Sequence, residues 1–305
     1  MFGRQTAAPA TNPRRRPRDD EIDVFGLTHT GKVRKDNQDH FLISSLKKQM
    51  VVHETSLPRT DHLMAGPERL AFLMMVADGV GGKAKGEEAS RLALEAVTEY
   101  VAYCMRCYYA AGNGNDEEFT QALQEAAVLC HAQLLRQGEG NPDRRGMATT
   151  LTLFLGVWPR AYLLQVGDSR CYLFRQGELT QISRDQTMAQ DLVDLGVMTR
   201  ADASKTRLAH TLSSSIGGRS PAPVVSALDI ESGTTVLLCS DGLTNHVPDD
   251  RIRDRLNSMK SARQVCEDLL KEALDQGGSD NITIVVARAL PGRGEARRQT
   301  PDARP

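Results

Sequence analysis

The chain has 305 residues and a formal net charge of −1; 40% of the residues are apolar and 25% are charged. That length supports a sizeable core without disulfides or structural metals, and the balanced charge excludes the global basic field of a nucleic-acid binder. The charge is uneven: residues 1–20 hold five Arg against two Asp, and 291–305 hold four Arg against one Glu and one Asp, so the body between them is net acidic.

Residues 1–20 are rich in Pro, Arg, Ala and Thr and show no hydrophobic period, so they read as a disordered basic tail. Ile22–His29 and His40–Ile43 read as short strands. Residues 45–69, with Pro58, Gly66 and Pro67, read as a loop insertion. Leu70–Ala77 is a buried strand by its length and unbroken apolarity. Gly86–Ala110 and Asp116–Gln137 carry helical spacing, and the strands Thr149–Val157, Ala161–Val166 and Cys171–Arg175 follow. Residues 184–218 are helical in parts. Val224–Ile230 and Thr235–Cys239 read as strands, Asp249–Met259 and Ser261–Asp275 as helices, and Ile282–Ala289 closes as an apolar strand. Residues 291–305 repeat the composition of the first tail. The expectation is one α+β domain over 21–290, a layered sheet core with helices outside.

No apolar stretch is long enough for a signal peptide or a membrane span. A cytosolic, monomeric chain with reduced thiols is expected. Of six Cys, Cys104 and Cys107 form a CxxC inside a helical pattern, without the partner ligands of a zinc site. Gly82-Lys83 is followed by Ala84 and lacks the spaced upstream Gly of a phosphate-binding P-loop.

Three segments share one plan, a buried strand beside an Asp. Leu70–Ala77 runs into Asp78-Gly79-Val80-Gly81-Gly82, Thr235–Ser240 runs into Asp241-Gly242, and Gly277-Gly278-Ser279-Asp280-Asn281 opens the last strand. One Asp-Gly alone signals only a turn. Three, each beside an apolar strand, suggest carboxylates gathered where antiparallel neighbours meet at one edge of a sheet. Converging carboxylates repel unless a cation lies between them, and hard divalent ions prefer such oxygen ligands. The Gly79 carbonyl is an unobstructed additional donor.

At this point the chain resembles the metal-dependent protein phosphatases of type 2C, bacterial branch. The matching elements stand in family order: Gly31-Lys32-Val33-Arg34 with Asn37-Gln38-Asp39, Asp78 to Gly82, Thr149-Thr150, Val166-Gly167-Asp168-Ser169-Arg170, Ser240-Asp241-Gly242, and Gly278 to Asn281. The resemblance implies a four-layer αββα sandwich, two antiparallel sheets flanked by helix pairs, with a flap over about 184–218. It implies two Mn2+ or Mg2+ ions, with Asp78 bridging both, Gly79 binding one, and Asp241 and Asp280 completing the other. Asp39 would hold water on a metal, Arg34 would grip the substrate phosphate, and Asp168 with Asp241 resembles the site of a third, weaker ion. The implied activity is hydrolysis of phosphoserine and phosphothreonine in proteins by a metal-bridged hydroxide, opposing a Ser/Thr protein kinase. The implied partners are phosphoproteins and that kinase, with no nucleic acid.

The chain departs from the family in places. Val80 stands where some relatives carry a His proposed as general acid, so that role cannot be carried over, and water on a third ion could replace it. Gln38 replaces a frequent Glu, and Ala148 a frequent Gly. His40 lies in the right segment but has no visible orienting partner. Two other functions compete: an inactive phosphoprotein-binding module, which the complete carboxylate set disfavours, and a different metal hydrolase, which the acidic body disfavours.

Overall fold

The computed structural model describes residues 15–49, 68–81, 84–110, 116–203 and 205–290. Eleven strands and seven α-helices follow in order. They are β1 (Ile22–His29), β2 (Asp39–Lys48), β3 (Glu68–Val80), α1 (Ala84–Ala110), α2 (Asp116–Gly138), β4 (Ala148–Thr149), β5 (Leu151–Val157), β6 (Arg160–Val166), β7 (Arg170–Arg175) and β8 (Glu178–Gln181). Then come α3 (Met188–Asp194), α4 (Arg200–Ala203), β9 (Val224–Asp229), β10 (Thr235–Cys239), α5 (Asp241–Thr244), α6 (Asp249–Asn257), α7 (Ala262–Asp275) and β11 (Ile282–Ala289).

The strands form two antiparallel sheets, ordered β1-β11-β10-β7-β8 and β2-β3-β5-β6-β9, with β4 pairing β3. Side chains of β3 alternate between two cores: Leu73, Met75 and Ala77 face α1 and α2, whereas Met74 and Val76 face the other sheet. A strand buried on both faces must be apolar throughout, which is why Leu70–Ala77 reads as an unbroken run. In α1, Ala89, Ala93, Val97, Val101 and Met105 repeat every fourth residue and are buried in the first core. In α7, Ala262, Val265, Cys266, Leu269 and Ala273 form the matching stripe on the other outer face. Helices, sheet, sheet and helices thus stack in the four expected layers.

The boundaries depart from the sequence reading where strands are polar. β2 continues to Lys48 and β3 begins at Glu68, so both ends of the expected 45–69 loop are paired strand, with Lys48 opposite Glu68; residues 50–67 lie outside the described residues. β2 is an edge strand with no unbroken apolar run beyond Ile43. β8, with the sequence Glu-Leu-Thr-Gln, is another polar edge strand that carries no apolar signal. At the other end β3 runs through Asp78 and Gly79 to Val80, so those residues are strand, not the turn after it.

Residues 15–20, expected as tail, are tied to the sheets; 1–14 and 291–305 lie outside the described residues. Arg16 donates to Arg69 O at 2.6 Å, Arg69 donates to Asp19 and to Pro17 O, and Arg15 donates to Glu21 at 2.7 Å. β1 pairs with β11 so that Ile22 faces Ala289 and His29 faces Ile282. The start of β1 and the finish of β11 therefore lie together at one end of the sandwich, and Asp280 stands at the other.

Candidate metal centre

The carboxylates converge from both sheets, not from one edge of a single sheet. In the second sheet the β2–β3 register sets Asp39 directly opposite Asp78. In the first, Asp241 follows β10 and Asp280 precedes its antiparallel neighbour β11. The shared cleft, of about 1250 Å3, is lined by Arg34, Asp78, Gly79, Asp168, Asp241 and Asp280. Asp39 lies behind it, 3% exposed.

Each side chain is held by identifiable contacts. Asp39 Oδ2 accepts from Ser240 Oγ and Thr283 Oγ1, each at 2.7 Å. Thr150 accepts from the Asp78 N–H at 2.9 Å, and Thr149 donates to Asp78 O at 2.9 Å, so the paired threonines anchor that strand end. Asn245 donates to Asp241 Oδ2 at 3.0 Å. Asp280 Oδ1 accepts from the Asn281 N–H at 2.9 Å, and its Oδ2 accepts from Arg34 Nη2 at 2.6 Å. Asn281 donates to Thr30 O and Asp36 O, and its own Oδ1 accepts from the Gln38 N–H, which fixes the loop bearing Arg34. Gly79 has no room for a side chain: a Cβ there would strike Gly86 O and Gln38 O.

The electrostatics follow from the crowding. Loss of water, then repulsion from Asp39, Asp241, Asp168 and Asp280, holds the Asp78 carboxyl well above the usual carboxylate range. Burial likewise lifts Asp168 to about 8, with Asp241 adding to it. Asp39 rises to about 6 through burial, opposed by the two hydroxyls. Asp241 is raised by burial and by Asp280. The Arg34 guanidinium is held more firmly protonated by its bond to Asp280, and Asp78 and Asp241 add to the effect.

Among the described residues, no three Asp, Glu, His or Cys side chains stand as a closed ligand cluster; Asp280 is engaged by Arg34, and Asp39 by the hydroxyls. The donor chemistry nevertheless suits a hard cation. Asp39 Oδ1 and Asp241 Oδ1 are buried without any hydrogen-bond partner. Buried acceptors left unpaired are costly, and a divalent ion would satisfy them.

Sequence reasoning missed three contributors. Arg170 binds Asp185 through Nε and Nη2, with contacts of 2.6–3.0 Å, and ties β7 to the start of the 184–218 segment. His210, within that segment, and His246, after α5, also line the cleft. A lone His or an Asp-Ser-Arg turn gives no signal of such a role in sequence. His40, in contrast, hydrogen-bonds Ser90 Oγ at 2.9 Å and packs among neighbours of α1. Burial lowers its pKa.

A sandwich of this order with carboxylates at one end defines the class: a family model described as protein phosphatase 2C matches residues 53–281, and the chain belongs to that family. It is similar to the serine/threonine protein phosphatase PstP of Mycobacterium tuberculosis, with 36% identity over 220 residues, 71% of this chain. The match spans 40% of that relative's length. The serine/threonine phosphatase stp of Listeria welshimeri is 30% identical over 224 residues, covering 73% of this chain and 86% of the relative. Among solved structures, the catalytic domain of PstP in complex with two manganese ions superposes with a TM-score of 0.67 at 31% identity, covering 88% of this chain and 98% of that one.

Proposed function

We propose that the protein is a divalent-cation-dependent phosphatase that removes phosphate from phosphoserine and phosphothreonine in other proteins. One observation carries this reading: Asp78, Asp168, Asp241, Asp280 and Arg34 line a single cleft in which a buried carboxylate oxygen has no partner. Asp78, the Gly79 carbonyl, Asp241 and Asp280 would hold two Mn2+ or Mg2+ ions, Asp39 would hold water beside them, and Asp168 with Asp241 would take a third, weaker ion. Such ions, when bound, make water a nucleophile at neutral pH and neutralise phosphoryl charge.

The chain's own groups do the rest. Arg34 presents a planar fork that suits two phosphoryl oxygens, and it already stands at the carboxylates, paired with Asp280. Water attacks phosphorus as the bond to the Ser or Thr oxygen breaks, and the alcohol leaves with a proton. Val80 has no proton to give, so the proton on the leaving alcohol comes from water or from another group of the cleft. The partners on this reading are phosphoproteins and the Ser/Thr kinase whose marks they carry, in the cytosol, with the enzyme acting as a monomer. No helix among the described residues is long and apolar enough to cross a membrane.

Phosphate release from a phosphothreonine peptide tests the reading. Release requires Mn2+, stops with a chelator, and falls at least about 100-fold in Asp241→Asn, with the melting temperature little changed. Near-normal turnover in that variant would sink the two-ion assignment.

A further inference from the structure

His246 lines the cleft and is bonded directly to the segment that bears Asp280. Its Nε2 accepts from the Ser279 N–H at 2.9 Å and lies 3.0 Å from Ser279 Oγ. A main-chain amide can only donate, so Nε2 carries the lone pair and the ring proton sits on Nδ1. Ser279 adjoins Asp280, and His246 follows Asp241 by five residues, so this bond joins the two segments that bear those carboxylates.

Both ends of the link are anchored. The residues from Asp241 to Val247 form one compact turn: Asn245 N–H donates to Asp241 O at 2.8 Å, His246 N–H to Leu243 O at 3.0 Å, and Val247 N–H to Leu243 O at 2.9 Å. Val247 is fully buried, and Asn245 also grips Asp241 Oδ2. Across from it, Asp280 follows Gly277 at φ +126° and Gly278 at φ +52°. The two glycines close α7, Gly277 N–H donating to Leu274 O at 3.1 Å and Gly278 N–H to Ala273 O at 3.0 Å, and beyond that cap the path toward Asp280 depends on contacts with other segments. Lys32 N–H holds one side through Gly278 O at 2.7 Å. The His246 ring holds the other, with Cε1 3.5 Å from where a Cβ on Gly277 would stand.

We propose that His246 is a positioning residue: by accepting the Ser279 N–H it holds the Asp280 loop against the Asp241 turn and sets the spacing at which the two carboxylates receive a divalent cation. This rests on the reading of those carboxylates as cation ligands. Groups that orient ligands in this way, without touching the ion, change affinity about 10- to 100-fold when removed.

Calorimetric titration of the full chain with Mn2+ tests it, using wild type, His246→Leu and His246→Gln, alongside melting temperatures in chelator. Leu keeps most of the volume without an acceptor; Gln keeps an oxygen able to accept the same N–H. The expected result is a Kd for Mn2+ at least about ten-fold weaker in His246→Leu, largely restored in His246→Gln, with both melting within a few degrees of wild type. Saturating Mn2+ returns the turnover of His246→Leu to near the wild-type value. Equal Mn2+ affinity in wild type and His246→Leu overturns the proposal alone. Equal weakening in Leu and Gln also overturns it, since the accepted bond would then be irrelevant. If wild type takes up no Mn2+, the cation reading itself falls and the proposal falls with it.

Discussion

Arg34 owes its position to others. Asn281 clamps the loop on which it stands, and Asp280 draws its guanidinium over the cleft. Replacing it with Ala removes the one guanidinium, among the described residues, bonded to these carboxylates, while sparing every proposed ligand. The expected outcome is a loss of kcat/KM on a phosphothreonine peptide of about 100-fold, with Mn2+ uptake by calorimetry retained; loss of metal binding instead would place Arg34 in the cation site's own architecture. At this scale the sequence was legible for Asp78, Asp241 and Asp280 because each sits by an apolar strand and near a glycine, whereas Asp39 and Asp168 were marked only by the family resemblance. It was silent on Asp39 being sealed beneath two hydroxyls, since Ser240 and Thr283 lie 201 and 244 residues away in the chain and only the fold brings them to it. His246 was unreadable for the same reason: its partner is a backbone amide, which no residue type announces.

The elements show the same contrast. Long apolar strands and the four-residue stripe of α1 are written in the period of the sequence, whereas β8 and the far half of β2 are polar edges whose only mark is their pairing. The 184–218 segment depends on a side-chain clasp more than on its short helices. Arg170 is shared between Asp185 and Tyr172, whose hydroxyl reaches Asp249 at 2.9 Å. Arg184 caps the arrangement by binding Asp191 and Asp194 of α3. Lysine cannot reproduce a forked contact. Arg170→Lys is therefore expected to loosen the segment locally by about 1–3 kcal/mol, seen as faster amide exchange and proteolysis within 184–218. KM should rise several-fold while kcat changes less. Exchange rates equal to wild type would show that the clasp does not govern this segment.

For the molecule as a whole, the gathered carboxylates make stability depend on pH in an unusual sense. Asp39 and Asp168 are pushed up to about 6 and about 8, and Asp78 and Asp241 are raised as well, all chiefly by burial. The unfolded chain binds these protons only below about pH 4. Their contribution is complete below that point and is lost as pH climbs through about 6 and then 8. Carboxylates of the opposite kind, such as Glu272 beside Arg251 and Arg255, lose their contribution only at acid pH. In chelator, the melting temperature is thus expected to fall between pH 5 and pH 8.5. A divalent cation takes over the protons' task, so the rise in melting temperature on adding Mn2+ should be larger at pH 8 than at pH 5. Calorimetric scans showing the chelated protein more stable at pH 8 than at pH 5 would contradict this account.

The pairing of β1 with β11 has a mechanical consequence. A strand of eight residues spans about 26 Å, and it stands between the end of the sandwich where Ile22 and Ala289 lie together and the end where Asp280 lies. That pair acts as one handle and the cleft as the working tip of a tool held from behind. A pull exerted at Ile22 or Ala289 therefore acts from the end of the sandwich opposite Asp280, and leaves the mouth of the cleft facing away from it.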